Sequence, residues 1–295
     1  MTDDGVGVRV GVVGHVEWVQ FACVDHVPRP GEIIHADSVF SDAGGGGAVA
    51  AVQLRKLAGA ATFLTALGDD EAAQRADERL REHYGVTVHA VARSAPQRRT
   101  FTFLDAGAER TITVLGERIV PAHADPLPWD SLGDLDGIYL TGGDAGAARE
   151  ARRATVLVAT PRARAALAES GVLLDVLVGS ATDPGEVYEL GEFDPEPRVV
   201  VRTRGEDGGT WEATGSADAG EGRPGWLPAE ASGTWEATPL PGPPVDAYGC
   251  GDSFAAALAY GLAAGLDLPE TLHLAARCGA ACLAGRGPYA GQLKL

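Results

Sequence analysis

Short, β-branched apolar runs recur along this chain with helix-sized stretches between them, and that alternation limits the folds open to it. Residues 9–13, 62–67, 86–91, 137–140, 156–159, 172–178 and 199–203 each read as a buried strand. Between several of them the period becomes helical. Val49, Val52, Leu54 and Leu57 precede a stop at Gly59, residues 71–83 form a charged amphipathic pattern, and residues 163–170 form another. Parallel neighbours need a crossover long enough to hold a helix, so the pattern predicts an α/β fold whose parallel sheet is covered on both faces. With 295 residues and 45% hydrophobic content, a single domain of that kind can bury a sizeable core.

Other segments fall outside this alternation. Residues 16–27 alternate loosely, Pro28, Pro30 and Gly31 break the chain, and residues 32–40 read as a further short strand. Residues 100–104 and 110–115 flank Asp105-Ala106-Gly107-Ala108 as a hairpin. Residues 205–245 are rich in Gly, Pro, Glu and Trp. Trp-Glu-Ala-Thr occurs there at 211 and again at 235, which reads as two edge strands flanking a loop.

Charge and cysteine content exclude several functions. Lys and Arg number 24 against 41 Asp and Glu, a formal net charge of −17 with no basic run, so no nucleic-acid partner is expected. Cys23, Cys250, Cys278 and Cys282 supply neither a disulfide framework nor a zinc set. Cys278 and Cys282 lie one helical turn apart and read as small buried residues. The acidic N-terminal stretch lacks the basic region and apolar core of a signal peptide, and no stretch approaches the roughly 20 apolar residues of a membrane span. The expectation is a soluble protein of the cytoplasm with no membrane partner.

The chemistry concentrates in residues 246–254, Asp-Ala-Tyr-Gly-Cys-Gly-Asp-Ser-Phe, which open an Ala-rich helix running to about residue 264. Gly249 and Gly251 let the backbone turn tightly and present bare N–H groups. At a helix N-terminus such groups favour an anion, usually phosphate. Asp252 at the same mouth can take a proton from an attacking hydroxyl. The same residues also suit an Asp N-cap behind an ordinary glycine turn.

These residues resemble the C-terminal signature of the ribokinase-like (PfkB) carbohydrate kinases, Asp-Thr-x-Gly-Ala-Gly-Asp-x-Phe. Residues 44–51, Gly-Gly-Gly-Gly-Ala-Val-Ala-Ala, are similar to the family's Gly-Gly-Lys-Gly-Ala-Asn-x-Ala. Pro30-Gly31-Glu32, Gly68-Asp69-Asp70, Glu109-Arg110-Thr111 and the Thr203, Gly205, Gly208 loop follow in family order, so the resemblance covers nearly the whole chain. It implies a three-layer αβα sandwich with a small β lid from about residues 15–40 and 98–116. It implies transfer of the ATP γ-phosphoryl group to a hydroxyl of a sugar, nucleoside or related small molecule. Asp252 would then be the base, and the N–H groups of Gly249, Cys250 and Gly251 the anion hole. Thr203, Gly205, Gly208, Ser180, Asp183 and Gly287 would serve the nucleotide. Mg2+ would travel with ATP, a K+ ion would sit near Asp246, and relatives often dimerise through the lid strands.

The departures from the family pattern lie mostly on the acceptor side, where Glu17, Val19, Gly44, Gly45, Gly46 and Val49 would meet the substrate. Val19 stands where many relatives carry an Asp that grips sugar hydroxyls, Glu17 where Asn is common, Val49 for the signature Asn and Gly46 for a frequent Lys. Ser180-Ala-Thr-Asp183 stands for Asn-x-x-Glu. Two readings remain open. One is a kinase with an unusual acceptor held by Glu17 and aromatic residues such as Trp18. The other is a nucleotide-binding relative with little or no kinase activity, acting as a sensor or partner protein. His15 at the end of the first strand either lines the cleft or is structural. Arg98, Arg99 and Arg110 on the lid hairpin either meet an anionic acceptor or are solvated lid charge, the second being expected, and Trp211, Trp226 and Trp235 read as packing.

Overall fold

A computed structural model describes residues 7–220 and 222–295. The acidic residues 1–6 of the N-terminal reading lie outside them. In chain order the strands are β1 (Val10–Val13), β2 (Glu17–Cys23), β3 (Ser38–Gly44), β4 (Thr62–Leu67), β5 (Thr87–Ala92), β6 (Arg99–Leu104), β7 (Arg110–Leu115), β8 (Gly137–Leu140), β9 (Val156–Ala159), β10 (Val176–Ser180), β11 (Val199–Thr203), β12 (Gly209–Ala213) and β13 (Ser232–Trp235). The helices used below are α1 (Gly46–Ala58), α2 (Glu71–Glu78), α3 (Ala145–Ala151), α4 (Arg164–Ser170), α5 (Cys250–Ala263) and α6 (Leu268–Leu283).

Among the described residues the central sheet has nine strands in the order β13-β12-β11-β10-β9-β8-β1-β4-β5. It is parallel from β11 to β5, with β12 and β13 added antiparallel at one edge. The near-continuous apolar strands suit a sheet buried on both faces. Val12, Tyr139 and Val158 join a core shared with α1, α5 and α6. Val13, Ile138 and Leu157 join a second core with α3 and α4. Successive residues of one strand thus serve opposite layers, and the three-layer sandwich follows.

The second sheet, β3-β2-β6-β7, is the lid. Its β6–β7 hairpin matches the expected one, and Trp211 and Trp235 lie on the antiparallel edge pair β12–β13. Two strand bounds differ from the expectation. The 32–40 strand begins only at Ser38 and runs to Gly44: the Glu32 carboxylate, accepting from the Arg29 N–H, holds residues 29–32 in a turn, and residues 33–37 lie outside the β2–β3 ladder. The 172–178 strand begins at Val176 and continues to Ser180. Residues 71–83 form α2 and then a wider π turn at Arg79–His83.

Helix starts separate into two kinds. α2, α3 and α6 are capped by Asp70, Asp144 and Asp267, each accepting a backbone N–H from its first turn. α1 and α5 instead start behind Gly45 (φ 82°) and Gly249 (φ 85°) and have no side-chain cap. Both open toward the carboxyl end of β1, where strand order reverses between β8 and β4, the place where α/β sheets bind ligands.

Candidate active site

Backbone crowding builds the floor of this cleft. A Cβ on Gly14, just after β1, would overlap the Thr141 hydroxyl after β8, and the Gly47 Cα lies 3.2 Å from that position. A Cβ on Gly45 would come within about 3.1 Å of both His15 and Glu17. A Cβ on Gly46 would lie 2.7 Å from Asp252 Oδ1. Gly44 is bounded by Val19 and the Tyr248 hydroxyl, which accepts the Gly45 N–H at 3.0 Å. The glycine run of the sequence is therefore a surface closed in by β1, β2, Tyr248 and the first turn of α5, with no room for side chains.

Gly249 packs on Val49, and Gly251 has open space where a Cβ would be. The first turn of α5 leaves N–H groups without helical partners there. Asp252 lies in that first turn, and Gly249 takes the N-cap position that a capping Asp would have held. Desolvation, then the nearby Glu186 charge, pushes the Asp252 carboxyl up to about 7, against the opposing charges of Arg110 and Arg162. A carboxylate tuned to neutral pH suits proton abstraction.

The lid side of the cleft is charged. Glu17 is buried, and its Oε1 lies 2.8 Å from Arg98 Nε and 3.6 Å from His15 Nε2. Desolvation raises the Glu17 carboxyl, and the same burial, reinforced by Arg118, Arg98 and Arg162, holds His15 neutral. Arg98 is thus turned inward and is not the solvated lid charge expected of it, because the Trp18 N–H binds its carbonyl and burial brings Glu17 within reach. Trp18 falls on the opposite face of β2 from Glu17, so the strand's alternation takes it away from the cleft. Val19 and Val49 are fully buried and pack on Gly44 and Gly249, beneath the backbone that faces the site.

On the nucleotide flank, Ser180 pairs in register with Thr203 at the ends of β10 and β11. Gly205 (φ 58°) opens to space, whereas a Cβ on Gly208 would overlap the Trp235 carbonyl, so Gly208 is needed for the β12–β13 edge. Asp183 pairs with Arg162 at 2.5 Å. Glu186 accepts from Arg162 Nε at 2.7 Å and from the Ser180 N–H at 2.9 Å, and it is the carboxylate whose charge reaches Asp252. Asp246 is fully buried, its two oxygens accepting from Tyr248 N at 2.8 Å and Gly287 N at 2.9 Å. Gly287 therefore lies against Asp246 and braces the turn that leads into α5.

Sequence reasoning passed over Thr141, Arg118, Arg162 and Glu186. The Gly142-Gly143 pair after β8 was a usable signal for Thr141, and a second carboxylate three residues beyond Asp183 was one for Glu186. Nothing local marked the two arginines.

The sequence matches the family model described as pfkB family carbohydrate kinase over residues 9–183 and 194–294. No curated protein matches the chain. Among solved structures, ribokinase from Giardia lamblia superposes with a TM-score of 0.75 at 17% identity, over 97% of this chain and 96% of that one. Ribokinase of Arabidopsis thaliana, complexed with ribose and ATP, gives 0.71 at 20% identity over 97% and 96%. A nucleoside kinase of Burkholderia thailandensis, complexed with inosine, gives 0.69 at 18% identity over 97% and 95%. The fold, sandwich and lid together, is ribokinase-like.

Proposed function

The chain belongs to the pfkB family of carbohydrate kinases, and on that premise we propose that it transfers the γ-phosphoryl group of ATP to a hydroxyl of a sugar, nucleoside or related small molecule. The observation that carries this reading is Asp252, a carboxyl raised to about 7 at the uncapped N-terminus of α5. Its carboxylate takes the proton of the acceptor hydroxyl, and the N–H groups of Gly249, Cys250 and Gly251 stabilise charge on the transferring group. Glycine at 251 leaves that approach unobstructed. A protein that only binds a nucleotide has no chemical use for a base tuned this way, which disfavours the sensor reading.

Thr203, Gly205 and Ser180 would border the nucleotide. Mg-ATP supplies the phosphoryl group and part of the charge neutralisation. Among the described residues no group of three or more His, Cys, Asp or Glu is placed to hold a metal. That suits Mg2+, which usually binds through one or two carboxylates and the phosphates themselves; Glu186 and Asp183 are the carboxylates it would use. Burial raises the Asp246 carboxyl, a cost that a K+ ion beside it would offset, and activity in potassium against sodium buffer tests that assignment.

A homodimer through the lid is proposed on β7, whose six residues are all exposed at the sheet edge, and sedimentation tests it. Among the described residues no helix is long and apolar enough to cross a membrane. A cytoplasmic setting suits the four free cysteines. The functional test is ADP release from Mg-ATP with purified protein against a panel of sugars, nucleosides, sugar acids and small alcohols. A hit lost in Asp252→Asn supports the kinase, and silence across the panel overturns it.

A further inference from the structure

We propose that the acceptor is itself an anion, carrying a carboxylate or phosphate that Arg118 and Arg98 bind while its hydroxyl faces Asp252. This inference rests on the kinase reading and names the acceptor class of the same cleft.

Three arginines from separate parts of the chain converge on the cleft. Arg98 precedes β6, Arg118 follows β7 and Arg162 follows β9, and all three charges act on His15 and Glu17. Two of the three have carboxylate partners, Arg98 in Glu17 and Arg162 in Asp183 and Glu186. Arg118 has none. Among the described residues it enters no ion pair; its Nη1 donates only to the Arg162 carbonyl at 3.2 Å, and its buried Nε has no partner. Desolvation and the neighbouring Arg98 and Arg162 make its charge costly; Glu17 and Asp252 act on it favourably without forming an ion pair with it, so an anion brought by a ligand would complete its pairing.

Two more buried polar atoms of the same cleft lack partners, His15 Nδ1 and Thr141 Oγ1. Buried polar groups are seldom left unsatisfied, and a ligand here satisfies all three. The lid supplies the complementary apolar surface. Val19, Thr100 and Val114 form one cross-strand row in register, and Val19 offers no hydrogen bond at the position where the family resemblance places an Asp. A poorly hydroxylated acceptor with a charged end fits this division, and a neutral polyol does not.

The alternative source of negative charge is the ATP γ-phosphoryl group. The experiment pairs gluconate with glucose, glycerate with glycerol and fructose 1-phosphate with fructose. Binding is measured by calorimetry without nucleotide and transfer by ADP release. The expected result is binding and turnover with at least one anionic probe, at least a hundredfold weaker with its neutral counterpart. Arg118→Gln should then raise KM for that probe by at least thirtyfold while kcat and KM for ATP stay within about threefold, with partial rescue by Arg118→Lys. Turnover of neutral acceptors that is unaffected by Arg118→Gln overturns the inference and leaves the kinase reading standing. An effect of Arg118→Gln on KM for ATP alone assigns the charge to the γ-phosphoryl group and also overturns it. Anion binding without transfer to any probe keeps the anion site and sinks the kinase. Neither binding nor transfer with any anionic probe overturns the inference by itself.

Discussion

Gly46 stands directly beneath Asp252: a methyl group on its Cα would lie 2.7 Å from Oδ1 of the carboxylate. The loop that begins α1 and the first turn of α5 thus meet backbone to carboxylate, and glycine at 46 sets where the proposed base can sit. A side chain there, such as the Lys of the family pattern, requires Asp252 to move. Gly46→Ala should lower kcat by roughly tenfold to a hundredfold, since displacing a reacting group by about an ångström has effects of that order. Its thermal midpoint should change little, because the atom that yields is the end of one side chain. Steady-state kinetics beside a melting curve checks both.

Asp252→Asn should lower kcat by about 10²–10⁴-fold, the range for losing a general base, with ATP affinity held within several-fold. The same variant should be more stable than the parent above neutral pH. The folded carboxyl titrates at about 7 against an ordinary value of 3.8, so the native state binds more protons than the unfolded chain between those limits, and the parent loses stability as pH rises from about 4 to 7. With a discount for partial exposure the gain at pH 8 is roughly 2 kcal/mol, and it vanishes near pH 4. Melting curves at both pH values test the sign.

The pH profile of kcat/KM should have an acid limb at about 7, falling tenfold per unit below it, because only the ionised Asp252 accepts a proton. Glu186 contributes to that raised value through its negative charge. Glu186→Gln should move the limb to lower pH and raise the Mg2+ concentration needed for half-maximal rate. Asp183→Asn, one bond further out on Arg162, should leave the limb in place.

Arg79 holds the lid to the body. Its Nε and Nη2 donate to the two oxygens of buried Asp42 on β3 at 3.0 and 2.9 Å, and the Tyr84 hydroxyl adds a bond of 2.6 Å. Arg79→Ala leaves that carboxylate with less than its due and should cost roughly 2 kcal/mol, less than a fully buried pair because Arg79 is partly exposed. Chemical denaturation should show the loss as a lower midpoint with an unchanged slope.

Much of this molecule was legible in order along the chain. The strands of the central sheet, the hairpin of β6 and β7 and the glycine turn at 249–251 that sets Asp252 in the first turn of α5 all declare themselves locally, through apolar period and turn chemistry that a few neighbouring residues decide. The start of β3 at Ser38 was not legible, because it is fixed by where the ladder with β2 begins, which local propensity does not register.

The charge of the cleft was not legible. Arg98 reads as lid surface, Arg118 as a loop residue and Arg162 as the turn after a strand, and nothing within a few residues of any of them marks a site. They meet because β6 starts, and β7 and β9 end, beside the same cleft, which the order and register of two sheets decide. The sequence by itself determined the elements and the glycine turn that opens α5, since those depend on local sterics and periodicity. Only the tertiary structure decided which charges share one low-dielectric cleft and which of them lacks a partner, because electrostatic energy depends on distance and burial and takes no account of separation along the chain.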